Sequence, residues 1–542
     1  MKNILLGIIF SFSFSIISAQ NIPSPSEFLG YELGTQFTRH HQVVSYFNAV
    51  AAATEQVRLS TYGTTYEGRP LQIASISSAK NLSNLDEIQK NHLIQSGLKE
   101  GIVTSLAPKS IVWLSYNVHG NEAVSTEAAM KTIYSLVTEK SEWLENVVVL
   151  MDPCINPDGR DRYVNWYNQV KSTPYDSKPI ANEHYEDWPG GRYNHYYFDL
   201  NRDWAWASQK ETQQRLKVYH KWYPQIHVDF HEQGVNSPYY FAPAAEPLHE
   251  IITDFQRDFQ YTIGKNHAKH FDNEGWSYFT KEVFDLLYPG YGDTYPMYHG
   301  AIGMTYEQGG SGRAGLSIKN EIGDYLTLSD RIAHHYTTGL STVETAHKNS
   351  ALLNSEFKKY FTPTKAKYAT YVMEGEPEKL AGLRKLLDTH HIPYSSPKTK
   401  TSIKGWDYVK QKNTTHTFDT GALVLDGNGK RSRLIQALFE PNAKLSDSVT
   451  YDITSWSLPY AYGLKAMASQ QSFKNTVPFK EDTNKTNKSS KAYAYAAAWR
   501  SFEDGKFLAA LLKENIRVRY NLKPIQNGGQ RWAEGSVFIL KG

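Results

Sequence analysis

The chain has 542 residues, of which 40% are hydrophobic and 21% charged, and a formal net charge of +3. This length allows more than one hydrophobic core and predicts about two to four domains. The small net charge comes with no basic stripe, which excludes an electrostatic case for a nucleic-acid partner. The single cysteine, Cys154, excludes an intrachain disulfide. It lies in an apolar stretch, so we interpret it as a buried small side chain and not as a nucleophile.

The first residues form a pattern typical of an export signal. A lysine at position 2 precedes an apolar run at residues 4–17, and Ile17-Ser18-Ala19 offers a small-residue cleavage site. The run is too short to span a bilayer comfortably, and no later segment reaches the roughly 18 consecutive apolar residues that spanning requires. We therefore predict a signal peptide at residues 1–19 and an exported protein, periplasmic or extracellular, with no transmembrane segment.

Apolar runs alternate with amphipathic helix patterns from residue 24 to about residue 350. The periodicity predicts helices at 42–54 and 123–137, and strands at 72–77, 110–118 and 147–152. Such alternation predicts a largely parallel sheet covered by helices. In that architecture, ligand sites gather beyond the carboxyl ends of the strands.

Polar and ionisable residues follow several of these predicted strands. His119 and Glu122 come directly after the strand at 110–118, although about two such His-to-acid pairs are expected by chance in a chain of this composition. Similar polar or glycine-rich stretches follow other apolar runs at residues 156–160, 198–204, 231–234 and 307–310. A solvated loop explains any one of them. Four stretches that carry His, Arg and Glu are harder to dismiss.

In their order and spacing, these residues resemble the zinc metallocarboxypeptidase family of the carboxypeptidase A type, over roughly residues 24–350. The series that carries the resemblance is Glu67-Gly68-Arg69, His119-Gly120-Asn121-Glu122, Asn156-Pro157-Asp158-Gly159, Asn201-Arg202, His231 and Glu307. The resemblance implies a mixed, largely parallel sheet flanked by helices, and one zinc ion per chain held by His119, Glu122 and His231. His227 lies on the same strand face and is the rival third ligand, while Asp229 could orient a ligand as a hydrogen-bond acceptor.

The chemistry of this ligand set agrees with the resemblance. Two imidazoles and one carboxylate leave an open position on zinc, as hydrolytic centres require. Glu307 matches the family's general base, and its alternative is an ion pair with Arg313. Asn201 and Arg202 match the pair that grips a substrate's terminal carboxylate, because an arginine fork meets a carboxylate with two hydrogen bonds. The alternative for Arg202 is a salt bridge with Asp199 or Asp203.

The sequence also departs from the family pattern. An arginine that polarises the scissile carbonyl is expected between the Asn-Pro-Asp-Gly stretch and Asn201, where Arg160, Arg162 and Arg192 all lie; we favour Arg160. Either Tyr288 or Tyr291 matches the family's mobile tyrosine. Residues 167–197 resemble an insertion that could line or cover the cleft. The specificity pocket is expected somewhere within 240–305, with no deciding position.

A different organisation begins after about residue 360, and we predict a smaller α/β domain at 363–542. The order strand, helix, strand, strand occurs twice, at 367–373, 377–389, 392–395 and 421–425 and again at 492–499, 503–515, 516–520 and 535–540, which indicates a weak internal repeat. Residues 474–491 between the copies have the composition of a linker. The last strand lacks the helix that follows in the first copy. We therefore expect a truncated chain or a helix supplied from elsewhere, with an uncovered edge strand as the alternative.

Together these patterns predict an exported zinc metallocarboxypeptidase that removes residues from peptides with a free C-terminal carboxylate. The first alternative is a zinc amidase that acts on cell-wall peptides or acyl amino acids. The second is an inactive peptide-binding module. The C-terminal domain shows no chemical motif, and we expect a scaffolding role for it.

Overall fold

A computed structural model of the chain describes residues 22–452, 455–480, 492–527 and 529–541. The predicted signal peptide at residues 1–19 lies outside these ranges. Within them, no helix combines the length and the apolar character needed to cross a membrane.

The first part of the chain alternates helices and strands, as the periodicity predicts. Its helices are α1 (Pro25–Leu29), α2 (His40–Ala53), α3 (Ala79–Ser83), α4 (Leu85–Gln95), α5 (Val124–Val137), α6 (Pro157–Val170), α7 (Lys210–Trp222), α8 (Asp254–Glu274), α9 (Thr294–Met297), α10 (Leu328–Lys348) and α11 (Ser350–Tyr360). Its strands are β1 (Val57–Thr64), β2 (Pro70–Ile76), β3 (Ser110–Tyr116), β4 (Val147–Asp152), β5 (Ile226–Gln233), β6 (Tyr239–Tyr240), β7 (Ala245–Leu248), β8 (Tyr278–Phe279), β9 (Asp285–Leu286), β10 (Ile302–Gly309), β11 (Ser317–Lys319) and β12 (Tyr325–Thr327).

The central sheet has the strand order β1-β2-β4-β3-β5-β10-β6-β8. Its four middle strands, β4, β3, β5 and β10, run parallel, whereas β1 and β2 join antiparallel at one edge. Alternate residues of β3 enter two different cores, so that Val112 packs with α2, α5, α8 and α10 while Trp113 packs with α4 and α7. This burial on both faces explains why β3 and β4 are nearly continuous apolar runs. In β5, apolar residues alternate with His227, Asp229 and His231. The predicted fold class is confirmed.

The stretch Asn156-Pro157-Asp158-Gly159, which follows β4, begins a helix. Asn156 caps α6 by accepting a hydrogen bond from the backbone N–H of Gly159 at 3.0 Å. Pro157 occupies the first turn of the helix, where a missing N–H costs nothing. The stretch therefore fixes where α6 starts beneath the carboxyl ends of the strands.

The rest of the described chain contains α12 (Pro377–Thr389), α13 (Ser432–Phe439), α14 (Leu458–Ala461) and α15 (Phe502–Lys513). Its strands are β13 (Thr370–Glu374), β14 (Ser395–Pro397), β15 (Thr401–Asp407), β16 (Lys412–Phe418), β17 (Leu423–Asp426), β18 (Lys465–Ser469), β19 (Thr476–Pro478), β20 (Ala494–Ala497), β21 (Val518–Tyr520), β22 (Ile525–Asn527), β23 (Gln530–Trp532) and β24 (Val537–Leu540). One antiparallel sheet has the order β16-β15-β18-β13-β17-β14-β19, and a second has the order β20-β24-β21. The predicted linker at 474–491 thus contains a short strand, and its residues 481–491 lie outside the described ranges.

The C-terminal part packs on the side of the central sheet that carries α4 and α7. A continuous apolar core joins Trp222 of α7 to Leu383 and Leu387 of α12. Polar contacts reinforce it, including Lys367 with Glu250 at 3.1 Å and the ring nitrogen Nε2 of His249 with Glu440 at 2.9 Å. The two parts therefore meet through a buried surface next to the carboxyl edge of the sheet.

Candidate metal centre and cleft

The turn after β3 holds two of the predicted ligands in fixed positions. Asn117 has a left-handed φ of 60°, and its side-chain amide donates to the carbonyls of His119 at 2.6 Å and Glu122 at 3.0 Å. A side chain at Gly120 would lie 2.2 Å from the carbonyl carbon of Gly159, so only glycine fits there. The turn therefore packs against the start of α6. It also orients the side chains of His119 and Glu122 towards the same point.

His231 reaches the same point from the end of β5. One ligating atom of each of His119, Glu122 and His231 lies within 4.8 Å of the other two, and all three residues are buried. Nδ1 of His119 is 2.8 Å from Glu122 Oε1, and Nδ1 of His231 is 3.0 Å from Glu122 Oε2. The two Nδ1 atoms are 3.3 Å apart. A zinc–nitrogen bond of about 2.0–2.1 Å places two tetrahedral nitrogen ligands about 3.3 Å apart, so this spacing fits the ion.

The far side of each imidazole faces a carboxylate. Nε2 of His119 lies 3.0 Å from Asp199 Oδ1, and Nε2 of His231 lies 3.0 Å from Asp229 Oδ2. Asp199 accepts the Nε2 hydrogen of His119, which leaves the lone pair of its Nδ1 pointing at Glu122. Nε2 of His231 also lies 3.1 Å from the side-chain amide nitrogen of Asn201. Burial acts to raise the pKa of Glu122, but His119 and His231 hold that pKa below its ordinary value. The donor set therefore suits a cation.

The rival ligand His227 lies outside this group. Its ring stacks on Trp113 at 6.0 Å between centroids, and both of its ring nitrogens are buried without a partner among the described residues. Although His227 and His231 share a strand face, His227 lies four residues before His231 and therefore further from the carboxyl end of the strand.

Glu307 stands beside the metal group on the neighbouring strand. In the parallel pairing of β10 with β5, Glu307 is opposite His231, and the two residues line the same cavity. Burial raises the pKa of Glu307 to about 8, and the imidazole of His231 acts against that rise. The alternative partner Arg313 lies elsewhere, because its guanidinium contacts the carbonyl of His184 at 3.3 Å and the ring of Tyr185. A carboxylate with a pKa near neutrality is suited to accept and return a proton.

Arg202 and Tyr291 form a second feature of the cleft. Asn201 and Arg202 lie in a short 3-10 helix, Leu200–Arg202, whose start is capped by Asp199. The guanidinium of Arg202 lies 4.6 Å from the ring centroid of Tyr291. The Asn201 carbonyl Oδ1 accepts from the backbone N–H of Gly292 at 2.7 Å, which ties this helix to the Tyr291 loop.

Of the two carboxylates that the sequence suggested as partners of Arg202, Asp199 lies near it and Asp203 does not. Asp199 Oδ2 is 3.9 Å from Arg202 Nη1, whereas Asp203 instead accepts from the backbone N–H groups of Ser208 and Gln209. The shorter contact comes from Asp452 in the C-terminal part, whose Oδ2 is 3.0 Å from Arg202 Nε. The Tyr291 hydroxyl donates to the same oxygen of Asp452.

The three candidate arginines occupy different places. Arg160 is completely buried, pairs with Glu127 at 2.5 Å and donates to the carbonyl of Ala123 at 2.6 Å. It therefore does not reach the cleft, which corrects the preference for Arg160. Arg162 donates to the carbonyl of Gly190 at 3.0 Å. Arg192 alone of the three lines the cavity, where its Nη2 lies 2.9 Å from Asp199.

The two candidate tyrosines also differ. Tyr291 lines the cavity, whereas the hydroxyl of Tyr288 accepts from the indole N–H of Trp206 at 2.7 Å and lies behind Tyr291. Arg192 belongs to the stretch 167–197 that resembles an insertion, so this stretch contributes at least one residue to the cleft.

The cavity has a volume of about 430 Å³ and one acidic wall. Asp285 and Asp293 lie on this wall, and burial raises the pKa of Asp293 to about 7. Tyr451 of the C-terminal part also lines the cavity, and its backbone N–H donates to Asp285 at 2.7 Å. Sequence reasoning missed Tyr451 and Asp452, because no local motif indicates that a loop some 150 residues downstream of β10 folds back over its end.

Of three comparisons with known proteins, one identifies a family. A family model described as zinc carboxypeptidase matches residues 43–341, which is more than half of the chain. Among solved structures, a metallo-carboxypeptidase from Burkholderia cenocepacia is 14% identical, with 57% of this chain and 69% of that chain covered and a TM-score of 0.41. Carboxypeptidase A from Helicoverpa armigera is 15% identical, with 60% and 74% covered and a TM-score of 0.38. No curated protein matches the chain.

Proposed function

Because the chain belongs to the zinc carboxypeptidase family, we propose that it is a zinc-dependent peptidase that releases residues from the C-terminus of peptides. The observation that carries this proposal is the convergence of His119, Glu122 and His231 beside Glu307, in a cavity that also contains Arg202. We further propose that residues 24–350 form the catalytic domain, that residues 363–542 form the second domain, and that the leader at 1–19 directs export.

His119, Glu122 and His231 would hold one zinc ion in this centre. When bound, zinc lowers the pKa of a coordinated water to about 7 and polarises a carbonyl oxygen. Asp199 keeps the imidazole of His119 in the tautomer that presents Nδ1, and the carboxylate of Asp229 lies 3.0 Å from Nε2 of His231. The backbone N–H of Glu232 donates to Glu122 at 2.8 Å and holds that carboxylate in place.

Glu307 is the proposed general base and acid. It takes a proton from the attacking water and returns the proton to the nitrogen of the departing amino acid. Arg192, with its guanidinium at the mouth of the metal group, stabilises the negative charge that develops on the scissile carbonyl oxygen. Arg202, Asn201 and Tyr291 bind the terminal carboxylate, which places the last peptide bond of the substrate next to Glu307.

Removal of the metal should abolish peptide shortening. We expect chelation to reduce hydrolysis of a mixed peptide pool to background and added Zn²⁺ to restore it, with mass spectrometry as the measurement. His231→Asn should lose the activity along with its metal. His227→Asn is the matched control, because it changes a histidine on the same strand face that lies outside the ligand group. Hydrolysis that survives complete removal of zinc would contradict the proposal.

Asp452 occupies the carboxylate position on Arg202 and Tyr291, so a peptide carboxylate must displace it. Its side chain is 35% exposed, and an ion pair of this kind contributes modestly. We therefore expect Asp452→Asn to lower KM for peptides with a free C-terminus by about 2- to 5-fold with little change in kcat. Asp447→Asn, in the same exposed loop, is the control.

The opposite result would support the zinc amidase alternative. If Asp452→Asn raises KM and amidated substrates are hydrolysed as well as free acids, Asp452 recognises a substrate group other than a carboxylate. Steady-state kinetics on paired acid and amide substrates separates the two outcomes.

A further inference from the structure

A second group of histidines lies buried where the two parts of the chain meet. His220 is on α7, His299 follows α9, and His390 follows α12 of the C-terminal part. One ring nitrogen of each lies within 4.8 Å of a ring nitrogen of each of the others, and all three side chains are buried. This histidine cluster shares no residue with the catalytic group, and the proposed reaction does not use it.

Backbone carbonyls fix the tautomers of two of these rings. Nδ1 of His299 is 2.9 Å from the carbonyl of Tyr295, and Nε2 of His390 is 2.8 Å from the carbonyl of Ala205. A carbonyl only accepts, so these two nitrogens carry the hydrogens. The lone pairs of the cluster are therefore on Nε2 of His299 and Nδ1 of His390. Metal-binding histidines are commonly oriented in this way by a carbonyl behind the ring.

One ring nitrogen of the histidine cluster has no hydrogen-bond partner among the described residues. The Tyr295 hydroxyl lies 2.9 Å from Nε2 of His220 and 2.8 Å from Nδ1 of His390. The hydroxyl donates its single hydrogen to Nδ1 of His390 and can accept a hydrogen from Nε2 of His220, so both of these contacts are satisfied. Nε2 of His299 is buried with no hydrogen-bond partner among the described residues. A buried acceptor without a partner is energetically unfavourable, and a bound cation removes that cost.

The protonation state of the three imidazoles suits a metal ion. Burial lowers the pKa of His390 to about 4 and lowers those of His220 and His299 well below the ordinary value. All three imidazoles are therefore neutral at pH 7, which is the form that binds metals. The group contains nitrogen donors and no carboxylate, so it favours Zn²⁺, Co²⁺, Ni²⁺ or Cu²⁺ over Mg²⁺ or Ca²⁺.

We propose that His220, His299 and His390 form a second metal site, which takes a borderline divalent ion such as Zn²⁺ with the Tyr295 hydroxyl beside it. His390 belongs to the C-terminal part, and the other residues belong to the first part. A bound ion would therefore cross-link the two parts. The negative charge of Glu122 strengthens the binding of a cation at the catalytic group. The positive charge of Arg431 acts on all three rings of the histidine cluster and weakens the binding of a cation there. A chelator should therefore remove this second ion first.

Metal counting in the full chain tests the site independently of peptidase activity. We expect two zinc ions per wild-type chain and one in His119→Asn/His231→Asn, which lacks two of the three catalytic ligands. Adding His299→Asn to this double variant should remove the remaining ion. The matched control is His267→Asn, a buried histidine already bonded to Ser341 and Tyr306; added instead, it should keep the ion.

Thermal unfolding and cobalt spectroscopy give readouts that need no change in the cluster. Zn²⁺ should raise the Tm of the double variant, because an ion that binds only the folded state stabilises that state. Co²⁺ should give the absorption bands of nitrogen coordination. If His299→Asn fails to fold, Tyr295→Phe serves as the second variant, since it keeps the three imidazoles and should keep the ion. A folded double variant that binds no zinc and shows no Zn²⁺-dependent Tm would overturn the proposal and leave a hydrogen-bonded cluster.

Discussion

Glu307→Gln is expected to lower kcat for peptide hydrolysis by about 10²- to 10⁴-fold, which is the contribution of a positioned general acid–base group. Glutamine has nearly the same shape as glutamate but cannot take a proton from water. Glu307 makes no side-chain hydrogen bond among the described residues and faces the cavity, so its replacement should leave zinc content and Tm almost unchanged. Stopped-time assays with mass spectrometry and metal analysis of the same sample measure both quantities.

The control for this substitution is Glu282→Gln. Glu282 is an exposed carboxylate next to Val283, which lines the cavity, so it tests whether any loss of negative charge near the cleft matters. A Glu307→Gln enzyme with more than a tenth of the wild-type kcat would remove Glu307 from the mechanism. A wild-type chain that binds peptides without shortening them would favour the inactive binding module.

The sequence predicted the sheet and the metal group because both depend on local patterns. β3 and β4 are apolar runs, and the residues that end β3 and β5 must meet at one edge of a parallel sheet. His119 and Glu122 need only the turn held by Asn117, which is itself encoded locally. The structure brings these residues together at hydrogen-bond distances.

Contacts between distant segments were not predictable in this way. Arg160 and Arg192 are both arginines in the expected interval, but α6 turns Arg160 inward onto Glu127, and only the packing of α5 on α6 reveals this. Asp452 reaches Arg202 from 250 residues away. The histidine cluster likewise joins three elements that have no common sequence pattern.

The internal repeat shows how much of the C-terminal part could be predicted from the sequence pattern. In the first copy β17 lies between β13 and β14, and in the second copy β24 lies between β20 and β21, with antiparallel pairing throughout. The repeated strand order therefore matches the repeated sequence plan. Between the second and third strands of each copy the chain forms an antiparallel pair, β15 with β16 in the first copy and β22 with β23 in the second. Neither pair was predicted.

Arg202→Gln should separate a carboxypeptidase from an amidase. Loss of one partner of a hydrogen-bonded charge pair costs about 2–5 kcal/mol, so kcat/KM for peptides with a free C-terminus should fall by at least about 30-fold. For the same peptides with a C-terminal amide the fall should be small, because an amide offers no charge to Arg202. Arg313→Gln is the control, since Arg313 contacts a carbonyl and an aromatic ring away from Glu307.

The pairing of Arg202 with Asp452 allows a stricter form of this test. If Arg202 acts by binding the substrate, Asp452→Asn lowers KM only while Arg202 is present, and the double variant Arg202→Gln/Asp452→Asn behaves like Arg202→Gln alone. If Arg202 serves only to hold Asp452 in place, both single variants impair acid and amide substrates equally. A double-mutant cycle with both substrates distinguishes these cases, because the coupling energy appears for the free acid alone when the two carboxylates compete for one guanidinium.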